Sequence, residues 1–511
     1  MGFASTIAVA LSGVAGHIVS VEAHGHQGLP AFVISGLPDA ACAQAPDRIR
    51  AATANSGVNL SMCRWTINLS PAGLPKVGSG FDLAIAVALL AADDSLPAHR
   101  VSDIAHLGEL GLDGSVRAVP GVLPMVMAAA AAGVHDVVVA APSAAEASLV
   151  PDIRVHAVRT LSDVGALYQA IASGAPLPDL TPDSDHQPLP SPADLCDVVG
   201  QSEARVALEI AAAGRHHMLL LGPPGAGKTM LAERLPGLLP PLDRRESLDV
   251  TSIHSVLGLL SPSQALITTP PFVAPHHGTS MAAVIGGGSY RVRPGAVSRA
   301  HHGVLFLDES PEFRRDVLDG LRQPLESGEV VIARAERHVR LPAQFQLVLA
   351  ANPCPCGAAL GKGAGCSCTP MARRTYFQKI SGPLLDRIDV RVVMLPVTRG
   401  DLGHAGAESS AAVAQRVSSA RAQQAQRLSA TPWRVNSQVS GAYLRDGPLR
   451  LPSAVTRDLD TAIDRGSLTL RGYDRCLRLA WTAADLAGRE RPTTADTAFA
   501  LALRAPEQMA A

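Results

Sequence analysis

Two spacings of apolar residues recur in the first third of the chain, one typical of strands and one typical of helices. Short apolar runs rich in β-branched or aromatic residues lie at 31–35, 65–69 and 136–140. Between them, Ala-rich stretches at 82–92 and 122–132 keep their apolar residues at helical spacing. The pattern predicts a mixed α/β unit in this part of the chain.

The pattern changes twice in the rest of the chain. From about residue 194, strand-like apolar runs alternate with Gly-rich turns and helical stretches, as a parallel sheet requires. A Pro-rich stretch at 173–193 has little apolar periodicity, so we expect it to be an extended linker. The sequence therefore predicts a multidomain α/β protein with domains at 1–172, 194–396 and, with helical spacing alone, 397–511.

The near-zero net charge hides a division along the chain. The 511 residues carry 44 Lys+Arg and 45 Asp+Glu, a formal charge of −1. Residues 1–200 hold 8 basic and 18 acidic side chains, whereas residues 201–511 hold 36 and 27. The acidic first part argues against a dedicated DNA-binding face there, while the basic remainder leaves a nucleic-acid partner open.

Composition excludes several classes of protein. With 47% apolar and 17% charged residues, the chain is not a disordered one. Each apolar stretch is interrupted by Gly, Pro or a charge before the roughly 18 residues that a membrane span needs, so we expect no membrane partner. The opening segment lacks a basic start, so we interpret it as a first strand and not as a signal peptide. Eight cysteines are too few for a disulfide scaffold, which predicts a reduced, cytoplasmic protein.

A phosphate-binding loop lies at the start of the second domain. The segment MLLLGPPGAGKT at 218–229 places an apolar run before the loop and a helical pattern after it, which is the context that a P-loop needs. Lys228 is expected to reach the β- and γ-phosphates of ATP, and the Thr229 hydroxyl is expected to hold Mg²⁺. The predicted nucleotide site comprises Gly222, Pro223, Pro224, Gly225, Ala226, Gly227, Lys228 and Thr229.

Two carboxylates follow a buried strand further along the chain. The segment GVLFLDE at 303–309 places Asp308 and Glu309 at the carboxyl end of that strand, where open α/β sheets bind ligands. Asp308 suits the Mg²⁺ shell, and Glu309 suits the base that activates water. A purely structural acidic strand end is the alternative. Ser310 is predicted to cap the next helix, with Pro311 at its first position.

A polar residue and an arginine complete the set of candidates. Asn352 ends another apolar strand, where its amide can orient water beside a γ-phosphate, although Asn is also common in turns. Arg387 precedes the strand-like VRVVMLP and can serve as an arginine finger for a neighbouring subunit. A surface ion pair is the alternative for Arg387.

Taken in order and spacing, these motifs resemble those of AAA+ ATPases, and more narrowly those of the magnesium-chelatase-like ComM/YifB family. The resemblance is carried by PHHGTSMAAVIGGGSYRVRPGAVSRAHHGVLFLDE at 275–309, LRQPLESGEV at 321–330 and NPCPCG at 352–357. It implies a central P-loop AAA+ domain with a parallel sheet, a C-terminal all-α lid, and a homo-oligomer arranged as a hexameric ring.

The same resemblance implies roles for single residues. Asn352 corresponds to the sensor 1 of the family, and Arg387 to a finger that acts on the nucleotide of the neighbouring subunit. Within TLRGYDRCLR, Arg471 is the preferred sensor 2 and a further ATP-binding residue, with Arg475 and Arg478 as alternatives.

The first domain resembles the Lon-protease-like domain of the family, through GLPAFVISGLPD and PKVGSGFD. A protease of this type needs a Ser nucleophile and a Lys base within hydrogen-bond reach. The protease pattern places these roles at Gly80 and Leu123, and the nearest substitutes are Ser79 and Lys76. We therefore predict an S5-type α+β fold that lacks the catalytic dyad, and no protease activity.

Four cysteines crowd into fifteen residues just after Asn352. Two C-x-C pairs, Cys354 with Cys356 and Cys366 with Cys368, offer four soft ligands suited to tetrahedral Zn²⁺. The C-x-C spacing is tighter than usual in zinc sites, so reduced thiols and a redox switch remain alternatives.

A basic hairpin is the candidate for DNA binding. The segment GEVVIARAERHVRLP at 328–342 predicts a β-hairpin tipped by Arg334, Arg337 and Arg340. Such cations hold phosphates without reading base sequence, although they also pair with acids at subunit interfaces. Aromatic side chains are scarce, which favours duplex or branched DNA over stacked single strands.

The resemblance implies an ATP-hydrolysing ring motor, a ComM-like DNA helicase or branch-migration factor in the recombination of incoming DNA. A magnesium-chelatase-type motor subunit and a protein-remodelling ATPase are the alternatives.

Overall fold

The computed structural model describes residues 2–58, 60–173, 193–261, 265–288, 292–334, 337–359, 365–398 and 408–504. Nearly all of the predicted linker and the boundary around residue 400 lie outside these ranges, so the domain limits stay predictions. Among the described residues, no helix combines the length and the apolar character that a membrane crossing requires.

The N-terminal unit is a seven-stranded mixed sheet with helices packed on it. Its sheet has the strand order β3-β4-β2-β1-β5-β8-β9. The strands of the unit are β1 Phe3–Ser12, β2 Ala15–His26, β3 Ala31–Ser35, β4 Arg64–Ser70, β5 Ile104–Leu107, β6 Glu109–Leu110, β7 Val116–Arg117, β8 Asp136–Ala140 and β9 Arg154–Val158. Strands β6 and β7 lie outside the seven-stranded sheet and pair with each other. The helices are α1 Ala40–Ala43, α2 Ala45–Asn55, α3 Asp82–Ala92, α4 Ala98–Val101, α5 Val122–Ala131, α6 Ala144–Ala147 and α7 Leu161–Ser173.

The predicted strands and helices of this unit are present, since β3, β4, β8, α3 and α5 fall where the apolar spacing places them. Helix α3 is buried on every side because almost all of its residues are apolar and it lies inside the largest core of the unit. The structure therefore has the α/β character that the sequence predicts, while the assignment to a Lon-type fold stays a prediction.

The central unit is built on a five-stranded parallel sheet. The strands of the unit are β10 Met218–Leu221, β11 Phe272–Val273, β12 Gly286–Gly287, β13 Arg293–Pro294, β14 Val304–Leu307, β15 Glu329–Arg334, β16 Arg337–Pro342, β17 Gln346–Ala351 and β18 Val390–Val393. Strands β12 and β13, and strands β15 and β16, form two separate pairs outside the five-stranded sheet. The helices are α8 Ser202–Gly214, α9 Lys228–Leu238, α10 Arg244–Val256, α11 Met281–Val284, α12 Ala296–Arg299, α13 Arg315–Gly320, α14 Arg322–Ser327, α15 Pro370–Phe377 and α16 Gly382–Leu385.

The order β11-β14-β17-β10-β18 brings the predicted motif strands side by side. Each neighbouring pair is parallel, and the register aligns Leu221 of β10 with Ala351 of β17. Both faces of the sheet are buried, because alternate residues point to two separate cores, as expected of a parallel sheet covered by helices. The carboxyl ends of the motif strands therefore meet at one edge.

The described residues of the C-terminal unit form helices and the loops that connect them. It consists of α17 Ser410–Arg427, α18 Gly441–Arg445, α19 Ser453–Asp464, α20 Leu470–Leu486 and α21 Thr494–Arg504. Its apolar residues belong to the same core as α8, α9 and one face of the parallel sheet. The predicted all-α lid is thus packed against the central unit through a shared hydrophobic core.

One local prediction was wrong. Ser310 does not cap a helix: it begins a short 3₁₀ turn, Ser310–Glu312, and the helix after it starts only at Arg315. The Ser310 hydroxyl instead donates a hydrogen bond to the carbonyl of Ala350 on β17, at 2.9 Å. The buried neighbouring strand offers that hydroxyl an acceptor, and this tertiary contact replaces the local cap.

Candidate nucleotide-binding site

The loop between β10 and α9 has the backbone that a phosphate-binding loop needs. Gly225 and Gly227 have φ values of +77° and +87°, in the left-handed region that side chains disfavour. Helix α9 begins directly afterwards at Lys228, so its free N-terminal amides border the loop. Amides at a helix N-terminus favour anions, which suits the loop to phosphate.

Lys228 lies in the cradle of this loop. Its Nζ donates to the carbonyls of Gly222 and Pro223, at 2.7 and 3.0 Å, and to the side-chain oxygen of Asn352 at 3.0 Å. Burial lowers the pKa of Lys228, and the carboxylates after β14, Asp308 foremost, oppose this shift. The structure thus brings together the P-loop lysine and the predicted Asn352.

The predicted magnesium ligands also lie together. The Thr229 hydroxyl donates to Asp308 Oδ2 at 2.7 Å, across the gap between α9 and the end of β14. A hydroxyl and a carboxylate are oxygen ligands of the kind that Mg²⁺ prefers. The residues of this edge therefore fit a nucleotide phosphate together with Mg²⁺.

Glu309 stands beside this pair in an unusual backbone conformation. Its φ is +49°, in the left-handed region, and its side chain is half exposed. The Glu309 carboxylate lies 3.2 Å from Nδ1 of His277, whose ring meets Phe313 edge-on at 6.5 Å between centroids. Reasoning from the sequence did not assign a role to His277, although the residue lies in the segment PHHGTS that carries the family resemblance.

Arg387 is held within its own subunit. It donates to the carbonyl of Pro383 at 2.5 Å and forms an ion pair with Glu326, and only 8% of it is exposed. Burial lowers the pKa of Arg387, and the nearby cations Arg322 and Arg471 add to this shift. Both partners lie outside the P-loop, so Arg387 does not complete the nucleotide site of its own chain.

A cavity of about 500 Å³ gathers the arginines that the sequence proposed as sensors. Its lining includes Arg387 from the central unit and Arg471 from the first turn of α20, and it includes none of the residues 222–229, all of which the structure describes. The remaining cations of its lining are Arg215, Arg475 and Arg478. The structure therefore groups Arg471 with the finger candidate and not with the P-loop.

The four cysteines converge on one point, with the metal-binding atoms of all four within 4.8 Å of one another. The Sγ atom of Cys354 lies 3.3 Å from that of Cys356 and 3.7 Å from that of Cys366. A backbone hydrogen bond from Ala358 lowers the pKa of Cys356 to about 6, which favours its thiolate. The donor set suits a soft metal ion such as Zn²⁺.

The predicted basic hairpin is present as β15 and β16, paired antiparallel from Glu329 with Pro342 to Arg334 with Arg337. Arg340 is 69% exposed and forms an ion pair of 2.5 Å with Glu329 of the facing strand. The side chains of Arg334 and Arg337 lie outside the described part of the hairpin.

The residues nearest to a protease dyad have other partners. Lys76 is fully buried, and its Nζ donates to the carbonyls of Leu69, at 2.7 Å, and Pro71. The Ser79 hydroxyl donates to the carboxylate of Glu109. The lysine and serine are thus hydrogen-bonded to different groups of the N-terminal unit.

A phosphate loop, an Asp–Glu pair and a strand-end Asn on neighbouring strands of this parallel sheet define the AAA+ class of P-loop ATPases. Residues 194–402 match the family model described as magnesium chelatase, subunit ChlI. Residues 21–143 match the family model described as subunit ChlI of Mg-chelatase. Residues 407–504 match the model described as magnesium chelatase, subunit ChlI C-terminal.

Relatives of known sequence cover nearly the whole chain. An uncharacterised protein of Mycobacterium tuberculosis is 51% identical over 99% of both chains. Competence protein ComM of Haemophilus influenzae is 39% identical over 99% of this chain and 98% of its own. The uncharacterised protein YifB of Escherichia coli is 38% identical over 92% and 90%. The chain therefore belongs to the magnesium-chelatase-like ComM/YifB family.

Proposed function

We propose that the protein is an ATP-hydrolysing motor that works as a ring of identical subunits. The observation that carries the proposal is the cluster of Lys228, Thr229, Asp308 and Asn352 at one sheet edge, with hydrogen bonds of 2.7 to 3.0 Å. These groups are the ones that phosphoryl transfer to water requires.

Each residue has a defined task in this reaction. When ATP binds, the Nζ of Lys228 leaves the backbone carbonyls and Asn352 and donates to the β- and γ-phosphate oxygens instead. Thr229 and Asp308 hold Mg²⁺. Bound Mg²⁺ supplies positive charge that offsets the charge developing on the phosphate oxygens. Glu309 accepts the proton of the attacking water, and Asn352 orients that water.

The position of the arginines supports the ring. Arg387 and Arg471 line one cavity that includes none of the P-loop residues of their own chain, and we propose that they act on the nucleotide of a neighbouring subunit. Arg387 has to leave Glu326 before it reaches that nucleotide. If this proposal is right, ATP hydrolysis needs an assembled oligomer, and Arg471 contacts the nucleotide of the neighbouring subunit together with Arg387.

We further propose that the motor acts on duplex or branched DNA. The support is the basic hairpin β15–β16 with its exposed Arg340, the excess of basic residues in the second part of the chain, and the relative named as a competence protein. Arginines on a hairpin bind phosphates by charge, so binding is expected to weaken with salt.

The test is steady-state ATP hydrolysis with and without forked DNA. We expect DNA to raise turnover and added salt to remove the increase. Joint replacement of Arg334, Arg337 and Arg340 by Ala should lower the DNA stimulation, whereas Arg457→Ala on α19, which removes an exposed charge outside the hairpin, should not. A rate that no DNA form alters would contradict the DNA proposal and leave the ATPase proposal standing.

A magnesium-chelatase-type motor is the second candidate, because all three matching family models describe chelatase subunit ChlI. Such a motor would act on partner subunits and not on DNA. Co-purification with porphyrin-pathway proteins, together with no DNA gel shift, would favour this candidate.

We also propose that Cys354, Cys356, Cys366 and Cys368 hold a structural zinc ion. A tetrahedral ion with Zn–S bonds of about 2.3 Å separates its sulfurs by about 3.8 Å. The separations of 3.3, 3.7 and 3.6 Å among the first three cysteines lie close to that value before any adjustment. Metal analysis of the purified protein should find a single zinc ion per chain.

The N-terminal unit is proposed to serve assembly or substrate guidance and not peptide hydrolysis. Leu123, at the position of the protease base, is fully buried in an apolar core. In place of a serine–lysine dyad, the Ser79 hydroxyl donates to the carboxylate of Glu109, and the Lys76 ammonium donates to the backbone carbonyls of Leu69 and Pro71.

A further inference from the structure

The candidate arginine finger is held by a carboxylate of its own chain. The Nη2 of Arg387 donates to Glu326 Oε1, and its Nη1 donates to the carbonyl of Pro383 at 2.5 Å. The side chain of Arg387 is 10% exposed, whereas that of Glu326 is 63% exposed. The ion pair therefore joins a nearly buried guanidinium to a carboxylate at the surface.

The guanidinium of Arg387 is incompletely satisfied in this position. Its Nε is buried and has no hydrogen-bond partner in the described part of the chain. Burial lowers the pKa of Arg387, and the charges of Arg322 and Arg471 lower it further. Glu326 thus offsets only part of the positive charge here, so an anion of higher charge would be bound more strongly at the same place.

The other two acids that line the arginine cavity have partners of their own. Asp389 is buried in an ion pair with Arg475. Asp386 lies 4.0 Å from Arg504. Glu326 is therefore the acid of the described cavity lining that is paired with the finger candidate.

Glu326 is placed where it can move without disturbing the core. It belongs to α14, a helix of six residues that ends at Gly328, whose φ is +70°. Most of the Glu326 side chain is in contact with water, so its carboxylate can leave the ion pair at little cost. A phosphate carries more charge than a carboxylate and also accepts two parallel hydrogen bonds from a guanidinium. The phosphates of a docked neighbour can therefore displace Glu326 from Arg387.

We propose that Glu326 is a positioning residue, a latch that holds Arg387 on its own subunit until the phosphates of a docked neighbour displace it. The latch competes with the contact between subunits, because each interface that forms must first break one pair of Arg387 with Glu326. Nucleotide-bound subunits consequently need a higher protein concentration to assemble than they would without this carboxylate. The inference rests on the proposed ATPase ring, but not on DNA as its track.

The test is the assembly of the full-length protein, measured by sedimentation over a range of protein concentrations with and without a non-hydrolysable ATP analogue. Glu326→Gln keeps the size of the side chain and removes its charge, so with the analogue it should reach half-assembly at an about twofold to fivefold lower protein concentration. Without the analogue we expect no shift, because no phosphate receives the finger. Glu326→Asp keeps the charge and should return the concentration towards the wild-type value. Glu203→Gln, which removes an exposed acid at the start of α8, should not shift it.

The gain in assembly must pass through the finger, so Glu326→Gln should give no gain in an Arg387→Ala background. A gain that persists there, or that is equally large without the analogue, would trace the effect to surface charge and overturn the proposal. An unchanged or higher assembly concentration for Glu326→Gln itself would also overturn it. If the wild-type protein neither assembles with the analogue nor hydrolyses ATP, the proposed ring motor fails at that earlier step, and the two failures are distinct.

Discussion

At the residue scale, the groups that meet at the candidate nucleotide site come from positions far apart in the sequence. Lys228 and Asn352 are 124 positions apart, yet the lysine Nζ lies 3.0 Å from the amide oxygen. Their meeting could be expected from the sequence, because parallel strands bring their carboxyl ends to one edge. The pairing of Arg387 with Glu326 could not, since it depends on how separate helices pack.

Asp389 shows how a buried charge joins the C-terminal unit to the sheet. It accepts from Nδ1 of His216 at 3.0 Å and forms an ion pair with Arg475 of α20. Burial alone would raise the pKa of Asp389, but the Arg475 guanidinium and the hydrogen bond from His216 outweigh burial and hold it well below its ordinary value. The folded state therefore favours the ionised carboxylate.

Asp389→Asn should destabilise the protein by about 3–5 kcal/mol, because it leaves the Arg475 charge without its buried partner. Since the pKa is depressed on folding, this stabilisation is present above about pH 4 and is lost as the pH falls below it. Urea unfolding as a function of pH measures both effects.

Asp386→Asn is the control, because Asp386 is half exposed and its ion pair with Arg504 is 4.0 Å long. This variant should lower the free energy of unfolding by only about 0–1 kcal/mol. Equal losses in the two variants would contradict the expectation.

At the scale of elements, apolar spacing predicted several of the strands and helices, among them β3, β4, β8, α3 and α5, but it did not predict all of their ends. The helix after β14 begins at Arg315 and not next to Ser310, because the serine hydroxyl has a tertiary partner. The helix after the P-loop continues past Pro236 to Leu238. Local signals compete with packing at such ends, and packing decides.

The cysteine loop is an element whose fold should depend on metal. An added Cβ at Gly357 would lie 2.6 Å from the Pro224 ring, so this loop packs directly on the P-loop. Chelation of zinc, or Cys356→Ser, should release the metal and lower ATP turnover several-fold, because the support of the P-loop is lost. Metal content and ATP turnover are the measurements.

Cys196→Ser is the control, since Cys196 is an exposed free cysteine outside the cluster. Full turnover in a metal-free protein would contradict the structural role of the four cysteines.

At the scale of the whole molecule, the three units are packed together through specific contacts. Helix α5 of the N-terminal unit lies against α10, where the backbone of Gly121 donates to the Ser255 carbonyl at 3.1 Å. The turn between β1 and β2 meets the hairpin, since a Cβ added at Gly13 would lie 2.8 Å from a Val339 methyl group. The N-terminal unit thus contacts the element proposed to hold DNA.

Glu146 is a charged group at the junction of α5 and α10, where it accepts a hydrogen bond from Ser255. Burial raises its pKa, while hydrogen bonds from Ser255 and from the backbone of Leu123 oppose the shift. A carboxyl whose pKa is raised on docking stabilises the docked state fully below its ordinary pKa and loses that contribution as the pH rises through the raised value. Docking at neutral pH therefore carries the cost of a buried carboxylate.

Glu146→Gln should strengthen docking at pH 7 because it removes this charge, and Ser255→Ala should weaken docking because it removes a donor. Hydrogen exchange of α5 and α10 measures both, with slower exchange expected in the first variant and faster exchange in the second. Faster exchange in Glu146→Gln would show that the charge itself holds the junction.

The α/β class of the fold and the candidate residues at the sheet edge could be predicted from the sequence alone. Lys228, Thr229, Asp308 and Asn352 were all predicted, because a phosphate loop and strand-end polar residues leave local patterns that parallel topology then unites. Three features required the tertiary structure: the groups around Arg471, the contact of His277 with Glu309, and the core that the helical unit shares with the sheet. These features depend on contacts between elements that are distant in the sequence. Apolar periodicity predicts that one face of an element is buried, but it does not predict which other element covers that face.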